Sequence, residues 1–480
     1  MQWYYLKKSG DRVQGLGISK LYPEGYMVKV RFAPSPTGHL HVGNTRTALM
    51  NYLFARNKNG RFILRIEDTD VERSDATYEA SIIDDLKWFG IKWDEGPFRQ
   101  SDRLDIYRSY VKILLDKNAA YKCFCSKDTL EQMRKASLGK GEPPKYDGTC
   151  RELLGSTVEQ YEKEGRPYVV RFKSLQKPIS FKDEIHREIH FPRDHVDDFI
   201  ILKQEGTPSY NFAVTIDDML MGITHVIRGA DHISNTPKQI MLFLAFGEKP
   251  PQYAHHSLLT GDDKKPLSKR HGATRVREFR DMGILKSAFM NYLGILGRNV
   301  KKEILEEGEL IETFSLDSLS SSDSLFDMEK LLWFNKEYIR RMSVENMLVE
   351  LSLPLDYRDR IAVLKDNAKT LNEMKGLLDI FDSTDIKEDG LIYLLHITVL
   401  KDILPYLREV LMDKRGAILE DILQVLERKT TLAKRELLMT LRILCTGRKS
   451  GPPLKEVFQL IPKDIIIKRV ECTEKRFTLQ

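Results

Sequence analysis

Downstream of Met27 the apolar positions first alternate and then repeat with a helical period. Val28 to Phe32 are extended in character and read as a strand, and Pro34, Pro36 and Thr37-Gly38 then impose a tight, rigid turn. From Asn44 or Thr45 the pattern becomes helical, with Ala48, Leu49, Tyr52 and Leu53 on one face and Gly60 as the stop. Arg61 to Ile66 form a second strand that ends in Glu67-Asp68-Thr69-Asp70. Helical stretches follow at Tyr78 to Phe89 and Leu104 to Lys117. From about Ile106 to Ile200 the sheet pattern is interrupted by a Gly-, Lys- and Pro-bearing loop at 139–145, which carries Lys140 and Lys145, and by a β-rich stretch from Tyr168 to His190. The sheet resumes near Phe199, and a strand from Thr224 to Arg228 ends in Gly229-Ala-Asp231-His232. Asn235 or Thr236 caps the next helix, with Pro237 in its first turn and Gly247 past its end. Beyond Phe279 the chain turns helical, and from Val344 leucine-rich amphipathic stretches dominate, as in a helix bundle.

Composition narrows the class. A chain of 480 residues with 41% hydrophobic and 30% charged residues has room for about three or four domains and an ample core. No apolar run approaches the ~18 residues of a membrane helix. Five cysteines cannot all pair with one another, and three of them cluster at Cys123, Cys125 and Cys150. That favours a reducing cytoplasm and a metal over a disulfide framework. The net charge of +6 is unevenly spread: Val425 to Gln480 carry 13 Lys or Arg against 6 Asp or Glu, a local +7 that leaves the rest at −1. A basic end suits a phosphate backbone, and a solvated basic surface has the same composition. Residues 1–26 lack the 7–15-residue apolar core of a secretory signal, and Gly10, Gly15, Gly17, Pro23 and Gly25 interrupt any helix. They read as an appendage or an upstream mis-start, with Met27 the natural start.

The chemistry gathers where the first helix begins. Strand, loop, helix, strand places His39, His41 and Gly43 at a helix start, which presents unpaired N–H groups to phosphates; Gly43 admits a flat ring close to the backbone, and the two histidines are donors for phosphate oxygens. The string Arg31-Phe-Ala-Pro-Ser-Pro-Thr-Gly-His-Leu-His-Val-Gly-Asn44 resembles the HIGH signature of class I aminoacyl-tRNA synthetases, in the form of the glutamyl-tRNA synthetases of bacterial type. Asn44 stands where the signature's final histidine would be. The relatives that load glutamine differ across Ala33-Pro34-Ser35-Pro36. A second string, Lys265-Pro266-Leu267-Ser268-Lys269-Arg270, resembles the KMSKS loop, with Pro266 in place of its first lysine and Lys265 next door. The segment Thr446-Gly447 to Leu454 resembles the end of the family's anticodon-binding region.

The resemblance implies an α/β fold: a Rossmann-type parallel-sheet catalytic domain with an inserted acceptor-binding domain, followed by an all-α anticodon-binding part. The expected divisions are residues 1–26 appendage; 27–106 and 199–261 the two halves of the catalytic domain; 107–198 the insertion that grips the tRNA acceptor end; 262–345 the KMSKS loop and stem-contact domain; and 346–480 the anticodon-binding domain. It implies a glutamate–tRNA ligase that makes glutamyl adenylate from L-glutamate and ATP with Mg2+, then transfers glutamate to tRNA(Glu), as a cytoplasmic monomer. By resemblance, Arg31, Ala33, Ser35, Glu67, Tyr210 and Arg228 hold glutamate. His39, His41, Gly43, Ser268, Lys269 and Arg270 hold ATP, with His41 and Lys269 stabilising the charge that builds on the phosphates. Glu67 suits the α-ammonium and Arg31 a carboxylate, whereas Arg228, at a strand end before a glycine, suits the side-chain carboxylate. Asp68 and Asp70 read instead as caps of the next helix.

Cys123, Cys125 and Cys150 resemble the zinc knob of some bacterial members, with Tyr146 or Glu152 as fourth ligand; those members usually have histidine where Glu152 stands. Three free thiols left from a lost site are the alternative to a structural Zn2+. Alternatives also stand for the activity: a non-discriminating form that charges tRNA(Gln) as well, a catalytically weak tRNA-binding paralogue, or a nucleotidyl transferase that uses no tRNA.

Overall fold

Strand β1 (Lys29–Phe32) leads through helix α1 (Val42–Asn57) to β2 (Arg61–Ile66), which lies parallel to it in the register Lys29 to Arg61. Helix α2 (Ala76–Phe89) then crosses to β3 (Glu95–Arg99), parallel to β2 on its other side. This computed structural model describes residues 27–478 apart from 71–72, 140, 142–144, 194, 268–269, 271 and 413–417. The expectations for residues 1–26, Lys140, Ser268 and Lys269 therefore lie outside the described residues.

After α3 (Leu104–Asp116) come β4 (Ala120–Cys123), α4 (Lys127–Gly139), α5 (Gly155–Lys163), β5 (Val169–Phe172), β6 (Ile179–Asp183), β7 (Arg187–Phe191) and β8 (Phe199–Leu202). Strands β4, β5 and β8 form a small antiparallel sheet. Helix α6 (Tyr210–Leu220), β9 (His225–Gly229), α7 (Thr236–Phe246) and β10 (Gln252–His256) restore the parallel pattern, with β9 beside β10. The two parallel halves meet where the Lys29 N–H donates to Thr224 Oγ1 and the Thr224 N–H donates to the Lys29 carbonyl, each at 2.9 Å. Ligands of open α/β sheets bind beyond the strands' carboxyl ends, where the strand order reverses, and β1 and β9 flank that crevice. The rest of the chain is mostly helical, and one apolar core runs from Val30 and Leu49 through Phe289 and Leu331 to Leu441 and Val470.

Several local expectations need correction. Helix α1 begins at Val42, before Asn44, because the side chain of His41 itself caps it by accepting from the Gly43 N–H. It ends at Asn57, and the chain turns at Asn59 with φ 49°. Gly60 is needed for a different reason: a Cβ there would lie 2.4 Å from the Val28 carbonyl oxygen, so only glycine lets the two segments pass. Asp75, not Asp68 or Asp70, caps α2; Asp68 accepts from Ser101 at the turn before α3, and Asp70 pairs with Arg73. The stretch from 107 to 198 is not wholly separate from the main sheet. Strand β6 lies parallel to β10 with Asp183 opposite Tyr253, so the hairpin β6–β7 extends the parallel pair β9–β10.

Candidate active site

The carboxyl ends of β1, β2 and β9 open into one cavity lined by Arg31, Ala33, Ser35, His41, Gly43, Glu67, Tyr210 and Arg228, among others. All six residues expected to hold glutamate are thus brought together with two of those expected to hold ATP. Behind the cavity lies a frame of buried charges. Arg31 Nε donates to Asp218 Oδ1 at 3.1 Å, Arg65 Nη1 donates to the same oxygen at 2.7 Å, and Arg65 Nη2 donates to Glu67 Oε1 at 3.0 Å. The neighbouring Asp217 accepts from Gln100, Arg103 and Tyr107. Burial would push the Asp218 carboxyl up, but Arg31 and Arg65 outweigh it and hold it below the ordinary range. At Glu67 burial wins, and its carboxyl is raised against the pull of Arg65 and Arg31. Such a frame fixes direction: buried charges with several partners have little freedom to reorient.

Arg228 is 5% exposed at the end of β9. Its Nε donates to His255 Nε2 at 3.1 Å and its Nη2 to Thr236 Oγ1 at 2.9 Å. Its Nη1 is buried and has no hydrogen-bond partner among the described residues. A guanidinium N–H withdrawn from water and left unpaired costs about 1–3 kcal/mol, more for a charged group, so a folded protein keeps one only where something else will accept the bond. Tyr210 is partly exposed in the same wall, its hydroxyl 3.2 Å from His232 Nδ1.

At the start of α1, His41 Nδ1 accepts from the Gly43 N–H at 3.1 Å. Burial lowers the pKa of this imidazole, with Asp231 opposing, so the neutral ring carries its proton on Nε2 and offers it as a donor. His41 and Gly43 line both the cavity and an adjoining groove that includes Thr37, His39, Leu267 and Thr274. His39 lies in the groove, not the cavity, with Nδ1 2.9 Å from Ser81 Oγ. The second signature loop borders this groove through Pro266 and Leu267, while exposed Arg270 pairs with Asp263 at 3.1 Å.

Outside the cavity's lining, the three thiols of Cys123, Cys125 and Cys150 lie within 4.8 Å of one another. The Tyr146 hydroxyl is 3.4 Å from Cys123 Sγ and 3.5 Å from Cys125 Sγ. Glu152 is corrected as a fourth donor: it is exposed and turned to Arg151.

Sequence reasoning missed the frame. Arg65, Asp217, Asp218, Asp183, His255 and Thr236 come from segments distant in the chain, as does Arg46, whose Nη1 donates to the Ser257 carbonyl at 2.6 Å beneath the cavity floor. One signal was available: two adjacent acids at 217 and 218 inside an apolar helix must be buried with cations.

Residues 27–333 match the family described as tRNA synthetases class I (E and Q), catalytic domain, and residues 326–473 match the family described as anticodon binding domain. The chain is 42% identical over 470 residues to the glutamate–tRNA ligase of Carboxydothermus hydrogenoformans, covering 91% of this chain and 97% of that one. With the glutamate–tRNA ligase of Bacillus subtilis it shares 39% over 487 residues, covering 93% and 99%. Among solved structures, the glutamate tRNA ligase of Elizabethkingia meningosepticum in complex with its amino acid superposes with a TM-score of 0.83 at 30% identity, over 94% of this chain and 99% of that one.

Proposed function

The chain belongs to the class I tRNA synthetases of the glutamate and glutamine type, and we propose that its cavity selects glutamate through Arg228. It is a glutamate–tRNA ligase that uses ATP and Mg2+ to activate glutamate and then esterifies tRNA. The observation that carries the choice of amino acid is the buried, unpartnered Nη1 of Arg228, a residue that lines the cavity. A carboxylate satisfies it with a charge-assisted bond; a carboxamide oxygen can accept from it but brings no charge to meet the guanidinium, so its bond is the weaker one.

In this reading Glu67 takes the α-ammonium, Arg31 takes a carboxylate, and Ala33, Ser35 and Tyr210 complete the wall. The adenylate forms when the α-carboxylate attacks the α-phosphorus in line and pyrophosphate leaves. His41 donates a hydrogen bond from its Nε2–H to a phosphate oxygen, Gly43 keeps the backbone open to the adenine ring, and His39 and Arg270 border the phosphates. Lys269 with Ser268 closes over the leaving pyrophosphate. The terminal ribose hydroxyl of tRNA then attacks the adenylate. No side chain need be a nucleophile, since positioning and charge stabilisation lower the barrier. Magnesium, when bound, neutralises the phosphates; the residues here hold the amino acid and orient the attack.

Aminoacylation with glutamate on purified tRNA(Glu) and tRNA(Gln), side by side, is the test. Charging of tRNA(Glu) alone supports a discriminating enzyme, charging of both a non-discriminating one, and charging of neither refutes the reading. A structural zinc is the second part of the proposal. Tetrahedral zinc with ~2.3 Å bonds to sulfur sets its donors ~3.8 Å apart, and Cys125 Sγ to Cys150 Sγ is 3.5 Å. Tyr146 is the fourth donor, with the Arg171 guanidinium 3.9 Å over its ring. Cys150→Ser should abolish stoichiometric metal by elemental analysis and lower the Tm while leaving the glutamate KM unchanged; full zinc content in that variant refutes the site.

A further inference from the structure

The orientation of Arg228 is set by a chain of buried groups that begins outside the two halves expected to form the catalytic domain. Asp183 closes strand β6, on the hairpin that extends the sheet. Its Oδ1 accepts from the backbone N–H groups of Ile185 and His186, both at 2.9 Å. Its Oδ2 accepts from the His255 N–H at 3.1 Å and lies 2.6 Å from His255 Nδ1. His255 and Asp183 are both fully buried. An arginine Nε can only donate, so His255 Nε2, 3.1 Å away, must be the acceptor. The imidazole is therefore neutral with its proton on Nδ1, and that proton goes to Asp183. Burial holds this ring well below its ordinary pKa, at about 4, which agrees with the neutral form. Two residues before Asp183, on the same side of the strand, Phe181 packs on Tyr253, whose ring lies 5.8 Å from the Arg228 guanidinium.

We propose that Asp183 and His255 are positioning residues for amino-acid selection: Asp183 fixes the tautomer of His255, and His255 turns Arg228 so that Nη1 faces the cavity. The proposal rests on the reading of Arg228 as the group that meets the side-chain carboxylate. It makes charge discrimination depend on the seating of hairpin β6–β7, from which this chain leads to Arg228.

The geometry predicts different outcomes for near-isosteric variants. His255→Asn keeps a donor where Nδ1 stood and removes the acceptor for Arg228. His255→Gln returns an acceptor where Nε2 stood. In Asp183→Asn the amide oxygen must stay on the Ile185 and His186 N–H groups, so its NH2 faces Nδ1 and drives the imidazole proton to Nε2, against the Arg228 donor. The experiment measures KM for glutamate, KM for ATP and the glutamate-over-glutamine ratio by tRNA-dependent pyrophosphate exchange. His255→Asn and Asp183→Asn should each raise the glutamate KM about tenfold and lower the ratio, with the ATP KM unchanged. His255→Gln should stay within about threefold of the parent. Wild-type activity with glutamate in the same assay is what the functional reading requires. If the wild type is active and His255→Asn and His255→Gln behave alike, or the glutamate and ATP constants move together, the positioning role is overturned while that reading stands. Should His255→Asn fail to fold, Asp183→Asn against His255→Gln decides by the same criterion.

Discussion

The catalytic sheet and the C-terminal helices each bury an arginine with no carboxylate at ion-pair distance among the described residues, and the two differ in what their hydrogen bonds leave over. Arg469, on the helix Lys463–Thr478, is fully buried. Its Nη2 donates to the carbonyls of Asp379 at 2.9 Å, Ile380 at 3.0 Å and Ser383, and its Nη1 to the Cys445 carbonyl. What remains is Nε, in the crook of the side chain. At Arg228 the inner nitrogen Nε is taken and the outer Nη1 remains, on a side chain that lines a cavity. A buried cation whose ends close on carbonyls ties backbone segments together; one whose end stays open waits for an anion. Burial alone does not tell them apart.

The largest effect should come from the clasp. Arg469→Met keeps much of the side-chain volume but strands four carbonyls, and should cost about 4 kcal/mol of stability, read as a fall in the urea or thermal midpoint. The glutamate KM of the folded protein should not move; a changed KM with an unchanged midpoint would erase the distinction. Arg228→Gln is its mirror image. It should lower kcat/KM for glutamate about 100-fold, about 3 kcal/mol, and relax the preference over glutamine, while the Tm holds or rises because an unsatisfied donor is gone. If the selectivity ratio stays put, Arg228 does not read the charge of the substrate.

Lys269 supplies a third kind of cation, in a glycine-flanked stretch of the sequence outside the described residues. Charge develops on the phosphates only in the transition state, so Lys269→Ala should cost at least about tenfold in tRNA-dependent activation, about 1.4 kcal/mol, without a change in Tm. Unchanged pyrophosphate exchange would remove it from the mechanism.

The same contrast explains what could be read from the chain. Contiguous features were legible: strand β2 begins at Arg61 and ends at Ile66 as its apolar run does, and the fourteen-residue string from Arg31 brought the cavity's wall with it. The start of α1 lies two or three residues before the Asn44 or Thr45 that the pattern predicts, because His41 serves as chemistry and cap at once. The frame was invisible for a different reason. Arg31 meets Asp218 across 187 positions, Arg65 meets the same carboxylate across 153, and His255 meets Asp183 across 72. Local periodicity says nothing about such pairs, and apart from the adjacent acids at 217 and 218 each member taken singly looks like an ordinary surface charge. Strand β6 likewise falls in a stretch whose sequence reads as an insertion, since its pairing with β10 is decided by tertiary contact and not by its own sequence.

Asp85 on α2 provides the smallest and cleanest test, because it is an unpartnered buried group that faces neither cavity nor groove. It is 1% exposed, and its Oδ2 has no hydrogen-bond partner among the described residues. Burial raises its carboxyl from about 3.8 to about 6, with Arg277 opposing. A carboxyl whose folded pKa is raised binds its proton more tightly folded than unfolded. Its contribution to stability is therefore fully present below about pH 4 and is lost as pH rises through about 6. At pH 7 the folded state holds an ion it disfavours. Asp85→Asn keeps the shape without the charge, and should raise the Tm at pH 7 by about 1–2 °C, with the gain vanishing below about pH 4, where Asp85 is already neutral. Glutamate KM should be the same at both ends. A gain independent of pH would mean that it comes from the amide's own contacts and not from removal of a disfavoured charge, and no gain at pH 7 would mean that the carboxylate finds a partner in the folded protein. A loss of activity would mean that an open buried group can serve the site without facing it, and the criterion that separates Arg228 from Arg469 would fail with it.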